Sequence, residues 1–146
     1  MALLRVVATA ILLLLGRFAA SGYAEPNKVQ YELQERCAKG ASELFQKEYG
    51  NGIEDNGGGG QTYTYFVNHY NARLNKCFIS FTRYAFFPKN PPKTTAKLRS
   101  VVDINERREY GHFSDLSPFD CQVEGKVCHS ETEWKALIKP YMDEAD

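Results

Sequence analysis

The chain has 146 residues, with 18 basic and 18 acidic side chains and a formal charge of zero. That balance excludes a molecule-wide attraction to nucleic acid or to acidic membranes. The ends of the chain and its four cysteines narrow the class further.

Met1 to Ala24 has the layout of a secretory signal: Arg5, an apolar run from Val6 to Leu15, then small residues leading to Gly22-Tyr23-Ala24 as a small-x-small cleavage site. The run is about half the roughly 20 residues that a membrane-crossing helix needs, and Arg17 would have to be buried to lengthen it. The first cysteine, Cys37, is too far along to become a lipid-modified N-terminus. The expectation is a signal at 1–24 and one disulfide-stabilised domain at 25–146, exported to the periplasm or secreted, with no stable membrane anchor after cleavage. Removing Arg5 and Arg17 leaves 16 basic against 18 acidic residues.

Val29 to Tyr49 reads as a helix, because Val29, Leu33, Cys37, Ala41, Leu44 and Phe45 recur at intervals of three and four. Gly50-Asn51-Gly52 ends it, and the glycine-rich run to Gly60 reads as a flexible linker. Thr62 to Tyr70 and Lys76 to Phe87 are aromatic and β-branched, with turn chemistry between them, and form a long hairpin. One face of the first strand carries Tyr63, Tyr65, Val67 and His69; the other carries Thr64, Phe66, Asn68 and Tyr70. Neither face is wholly polar, so a loop or a partner is expected over part of one. After the breaker Pro88 to Pro92, Ala96 to Ile104 and Glu109 to Leu116 suggest a second hairpin. Ser130 with Glu133 makes a capping box ahead of Trp134, Leu137, Ile138 and Tyr141, a helix of about three turns with Pro140 near its end. The fold class expected is α+β: an antiparallel sheet of about four strands covered on one face by an N-terminal and a C-terminal helix, with two disulfides.

Four cysteines in an exported chain allow three pairings. A two-residue turn at Glu124-Gly125 would set Cys121 opposite Cys128, leaving Cys37 to join Cys77. Spacings of 40, 44 and 7 residues fit no zinc pattern. Cystines are also poor nucleophiles, which removes the thiols from the catalytic candidates.

The strings HYNARLNKCF from His69, ERCAKGASELF from Glu35 and CQVEGKVCHSETEW from Cys121 resemble a group of small exported bacterial proteins of uncharacterised activity. The resemblance implies a periplasmic or secreted protein. It carries no catalytic residues with it.

Little else points to catalysis. Ser80, Ser100, Ser114 and Ser130 lack a nucleophile signature, and His112 and His129 have no third ligand at metal spacing, so no metal is expected. The Gly57 to Gly60 run lacks the Gly-Lys-Ser/Thr ending of a phosphate loop, and no cofactor is expected. His69, beside Asn71 and Asn75 at a hairpin end, is the one candidate general base, though turn hydrogen bonds explain the same residues. The constellation to follow is basic and aromatic. Seven basic residues and no acidic one lie between Asn71 and Val102, among Phe78, Phe81, Tyr84, Phe86 and Phe87. These are either core aromatics with a solvated basic edge or a surface for an anionic partner. Lys76, Arg83, Tyr84 and Phe86 are the binding candidates. The leading expectation is a non-enzymatic module that binds an envelope or extracellular protein or an anionic polymer, with no role for nucleic acid. The alternatives are a small secreted hydrolase or lyase using His69, and a structural accessory subunit.

Overall fold

A computed structural model describes residues 28–88 and 94–143. The signal segment at 1–24, together with Lys89 and Lys93 of the basic stretch, lies outside the described residues.

Among the described residues, helix α1 (Lys28–Tyr49) is followed by seven strands and a further helix, α2 (Glu131–Met142). The strands are β1 (Ile53–Gly57), β2 (Gly60–Asn71), β3 (Lys76–Phe87), β4 (Thr94–Asp103), β5 (Arg108–Ser114), β6 (Asp120–Val123) and β7 (Lys126–Val127). They form one antiparallel meander in which each strand pairs with its neighbours in sequence.

The sheet has seven strands, not about four, and two segments account for the difference. The glycine-rich segment expected to be a linker is the β1–β2 hairpin: Gly57, Gly58 and Gly59 all take positive φ and turn the chain, so that Ile53 pairs with Tyr63. Earlier in that segment Gly52 is required, because a Cβ there would collide with the Thr64 carbonyl oxygen. The other addition is the Cys121 to Cys128 hairpin, which joins the main sheet through β6 pairing with β5. Its Glu124-Gly125 turn has φ of 46° and 78°, the paired positive values of a tight hairpin turn.

The helices also lie on opposite faces rather than on one. Side chains alternate along a strand, and α1 packs its buried Ala41 with Ile79 and Phe81, joined by Leu44, Phe45, Tyr49 and Phe66. Trp134 of α2 instead joins Phe78, Val101, Tyr110, Phe113, Cys121 and Val123, which belong to the other face. Adjacent residues Phe78 and Ile79, both fully buried, therefore face different helices. Asn71 ties the end of α2 to the sheet by donating to the Pro140 carbonyl at 2.8 Å.

Cys37 and Cys77 are bridged, as are Cys121 and Cys128, with Cα separations of 5.4 and 5.1 Å. The first bridge pins α1 to β3 beside Leu33, Tyr70 and Ile104. The second closes the small hairpin just before α2, whose N-cap Ser130 accepts from the Glu133 amide at 3.2 Å. Lys76 donates to buried Asp103 at 2.7 Å and also pairs with Glu106. Those two bonds hold its ammonium well above the usual lysine range. Asp103 in turn accepts the Asn105 amide at 2.9 Å, so the pair closes the β4–β5 turn against β3.

Two stability predictions follow from this packing. Gly111→Ala would put a Cβ 2.8 Å from the Gln122 carbonyl oxygen and 3.0 Å from the Trp134 ring; urea unfolding should show a loss of about 1–3 kcal/mol. Replacing Cys37 and Cys77 together by serine should cost about 4 kcal/mol, against about 2.5 kcal/mol for the Cys121 and Cys128 pair, since the first closes the longer loop. Equal losses for the two pairs would contradict that account.

Candidate functional site

β2 and β3 are twelve residues each, and at their far end they extend past the part of the sheet that α2 covers. There the face that α2 leaves open carries Tyr63, Tyr65 and Val67, exposed by 47, 47 and 57%. Ile53 of β1 and Phe86 of β3 are exposed on the same face. Cross-strand register sets Ile53, Tyr63, Tyr84 and Lys97 in one row, and Tyr65, Thr82 and Arg99 in the next. At roughly 4.8 Å between strands, this is a flat aromatic platform bordered by cations. The Tyr65 and Tyr84 rings are stacked with centroids 6.1 Å apart, and Lys97 Nζ lies 5.6 Å from the Tyr84 centroid.

The border centres on Glu131, in the first turn of α2. Its carboxylate meets Lys97 at 2.8 Å, Arg99 at 3.1 Å and Lys135 at 3.2 Å, so three cations share one anion. The hydrogen bond from Lys97 is the main reason the Glu131 carboxyl falls to about 2, with Lys135 and Arg99 assisting. Burial pulls the Lys97 ammonium down, but Glu131 outweighs it and leaves the group above its usual range. Tyr84 is lowered, first by its hydrogen bond with Tyr65 and then by the positive charges of Lys97 and Arg99. The Nε of Arg99 is enclosed and has no hydrogen-bond partner.

The sequence candidates do not fall on a single surface. Tyr84 and Phe86 belong to the platform, whereas Arg83, between them, points to the opposite face, where it lies 5.7 Å from the Tyr49 ring and 3.5 Å from Glu54. Lys76 is at the other end of β3 in the Asp103 and Glu106 ion pairs, a position that serves the fold. His69 is half-buried on the platform side, opposite Phe78, with its Nε2 enclosed and unpaired. His129 gives its backbone amide to Glu133, 2.8 Å away, and is used in capping α2. Among the described residues, no group of three or more His, Cys, Asp or Glu side chains is placed to hold a metal ion.

Sequence reasoning left Ile53, Tyr63, Tyr65 and the pairing of Lys97 with Glu131 out of its binding candidates, and weighed His112 only as a metal ligand. The alternation in TYTYFV already put Tyr63, Tyr65 and Val67 together. The Glu131 border joins residues 34 positions apart and leaves no local signal.

Comparison with known protein-family models, with curated proteins and with solved structures finds no match to this chain. No family assignment therefore supports the resemblance to exported bacterial proteins. Two disulfides do fit a chain that folds in an oxidising, extracellular or periplasmic environment. No helix among the described residues is long and apolar enough to cross a membrane.

The Glu131 cluster makes a pH prediction. A carboxyl lowered from its ordinary 4.5 to about 2 stabilises the fold fully above about pH 4.5 and loses that contribution as the pH falls towards 2. Glu131→Gln should cost about 1 kcal/mol at pH 7, a value reduced for the partial exposure of the carboxylate. Its unfolding midpoint should converge with that of the wild type near pH 2. A gap that persists unchanged in acid would contradict the ion-pair account.

Proposed function

We propose that this is a non-enzymatic exported binding module whose platform takes an anionic carbohydrate polymer of the cell envelope or the extracellular space. The observation that carries the reading is the exposed row of Tyr63, Tyr65 and Val67 beside a border where Lys97, Arg99 and Lys135 outnumber Glu131. A contiguous exposed apolar patch of this kind marks an interaction surface. Tyrosine supplies a flat apolar ring to lie under a sugar and a hydroxyl to hydrogen-bond it. The surplus positive charge suits carboxylates along the polymer, and the aromatic rings are displayed on a sheet, where they lose little freedom on binding. His69 is half-buried with its Nε2 enclosed and unpaired, so that nitrogen touches no group it could activate, and the hydrolase reading gains no support there. Export, a signal at 1–24 and kinship with small bacterial envelope proteins belong to this proposal.

The test is gel retardation by polygalacturonate, a polymer of acidic sugar. The full mature chain should be retarded at low salt, less so as salt rises. Tyr63→Ser with Tyr65→Ser should weaken retardation about tenfold, and Lys135→Ala should weaken it less, with only a small fall in melting temperature, because these side chains are largely exposed and their surface contacts contribute little. Retardation that is absent in the wild type or unaltered by the tyrosine changes contradicts the proposal. Capture of a protein partner through the same tyrosines would instead favour the accessory-subunit reading.

A further inference from the structure

The open end of the sheet also brings phenols together. Among the described residues two pairs of tyrosine rings are in contact: Tyr110 with Tyr141, centroids 5.2 Å apart, and Tyr65 with Tyr84, 6.1 Å apart. Their surroundings are opposite. Tyr110 is buried in the core beneath α2, and burial raises the Tyr141 hydroxyl above its usual range. Tyr65 is half exposed, and the Tyr84 hydroxyl is lowered by its bond with Tyr65 and by the charges of Lys97 and Arg99.

Register explains the exposed pair. Tyr63 stands directly opposite Tyr84, and Tyr65, two residues on, is the diagonal neighbour of Tyr84, a separation that aromatic side chains span. Tyr63 does not compete, because its hydroxyl turns back to the Gln61 side chain. Tyr65 instead lies along the Tyr84 ring, the two planes 25° apart, and their hydroxyl ends meet in a hydrogen bond. The ring carbons beside those hydroxyls are therefore nearer to each other than the ring centres are. Those are the carbons at which tyrosyl radicals couple. The bond from Tyr65 and the neighbouring cations also keep more of Tyr84 as phenolate at a given pH, the form that gives up an electron without first losing a proton.

We propose that Tyr65 and Tyr84 form an oxidative cross-linking site, joined by a peroxide-driven carbon-to-carbon bond between their rings. Hydrogen peroxide, acting through a haem peroxidase, takes one electron and one proton from each phenol and leaves as two molecules of water. The two radicals bond ring to ring beside the hydroxyls, and the hydrogen on each joined carbon then passes to the adjacent oxygen, which restores both phenols. The place suits a covalent tie. Both disulfides lie elsewhere: Cys77 is near the β2–β3 turn, opposite Tyr70, and Cys121 with Cys128 clamps the small hairpin. The oxidising environment that those disulfides fit is also the one in which a peroxide acts. The cross-link needs no polymer and does not depend on the polymer-binding reading.

Treating the dilute, full mature chain with hydrogen peroxide and a plant haem peroxidase tests the assignment. The expected product is a monomer lighter by two hydrogens, with dityrosine fluorescence and, after trypsin digestion, a peptide holding Tyr65 linked to one holding Tyr84. Tyr65→Phe and Tyr84→Phe should each abolish the link, and Tyr63→Phe should leave it in place. Phenylalanine keeps the ring and its packing, and a cooperative urea transition shows that each variant is folded. A link that survives Tyr84→Phe, a product formed only between chains, a link through Tyr110 and Tyr141, or no dityrosine at all would each overturn the proposal. Failure of polygalacturonate to bind would count against the polymer reading alone.

Discussion

The structure depends on burying β3 on both of its faces. Cys77, Ile79 and Phe81 go under α1, while Phe78 goes under α2, and a twelve-residue strand is thereby made the spine of the molecule. The Cys37 to Cys77 bridge secures one side of that arrangement by fixing the helix to the strand it covers. On the other side the fit depends on Gly111, whose missing side chain lets the Trp134 ring settle on the sheet. An amphipathic helix and a mixed sheet face are each marginal alone in water, and it is their mutual burial that stabilises both.

Helices α1 and α2 do not cover the whole of the sheet formed by the described residues. α2, at twelve residues, spans about 18 Å, and the tyrosines of β2 lie beyond its cover. α1 stops at Tyr49 and leaves the β4 to β6 side of its own face open. The uncovered parts of the two faces meet at one end of the sheet, back to back. Alternation along β3 then assigns its neighbouring side chains to different surfaces: Tyr84 and Phe86 to the aromatic platform, Arg83 to the other side beside Tyr49 and Glu54. One strand thus contributes to two chemically distinct surfaces.

Much of this was legible in the residues. The periodicity of Val29 to Phe45 marked α1, the Ser130 and Glu133 pattern marked the start of α2, and the Glu124-Gly125 turn pointed to the Cys121 to Cys128 bridge; all three depend on neighbours in sequence. Val29, however, is 58% exposed, although it shares the helical phase of Cys37. The edge strand β1 was hidden because Ile53–Gly57 has almost no apolar alternation, and it forms by backbone pairing with β2 and positive-φ glycines. The placement of the helices on opposite faces was hidden too, since aromatic residues on both sides of β3 do not say which helix meets which side. Lys76 looked like a free surface cation because its partner Asp103 is 27 residues away.

The claim that the open end of the sheet is the binding surface is tested most directly by amide chemical-shift mapping of the labelled mature chain titrated with an oligogalacturonate. The account predicts shifts that saturate and cluster at Tyr63, Tyr65, Tyr84, Lys97 and Arg99, with the amides around Cys37, Cys77 and Ala41 unmoved. Shifts centred on the α1 core, or no saturable shifts at any site, would contradict it.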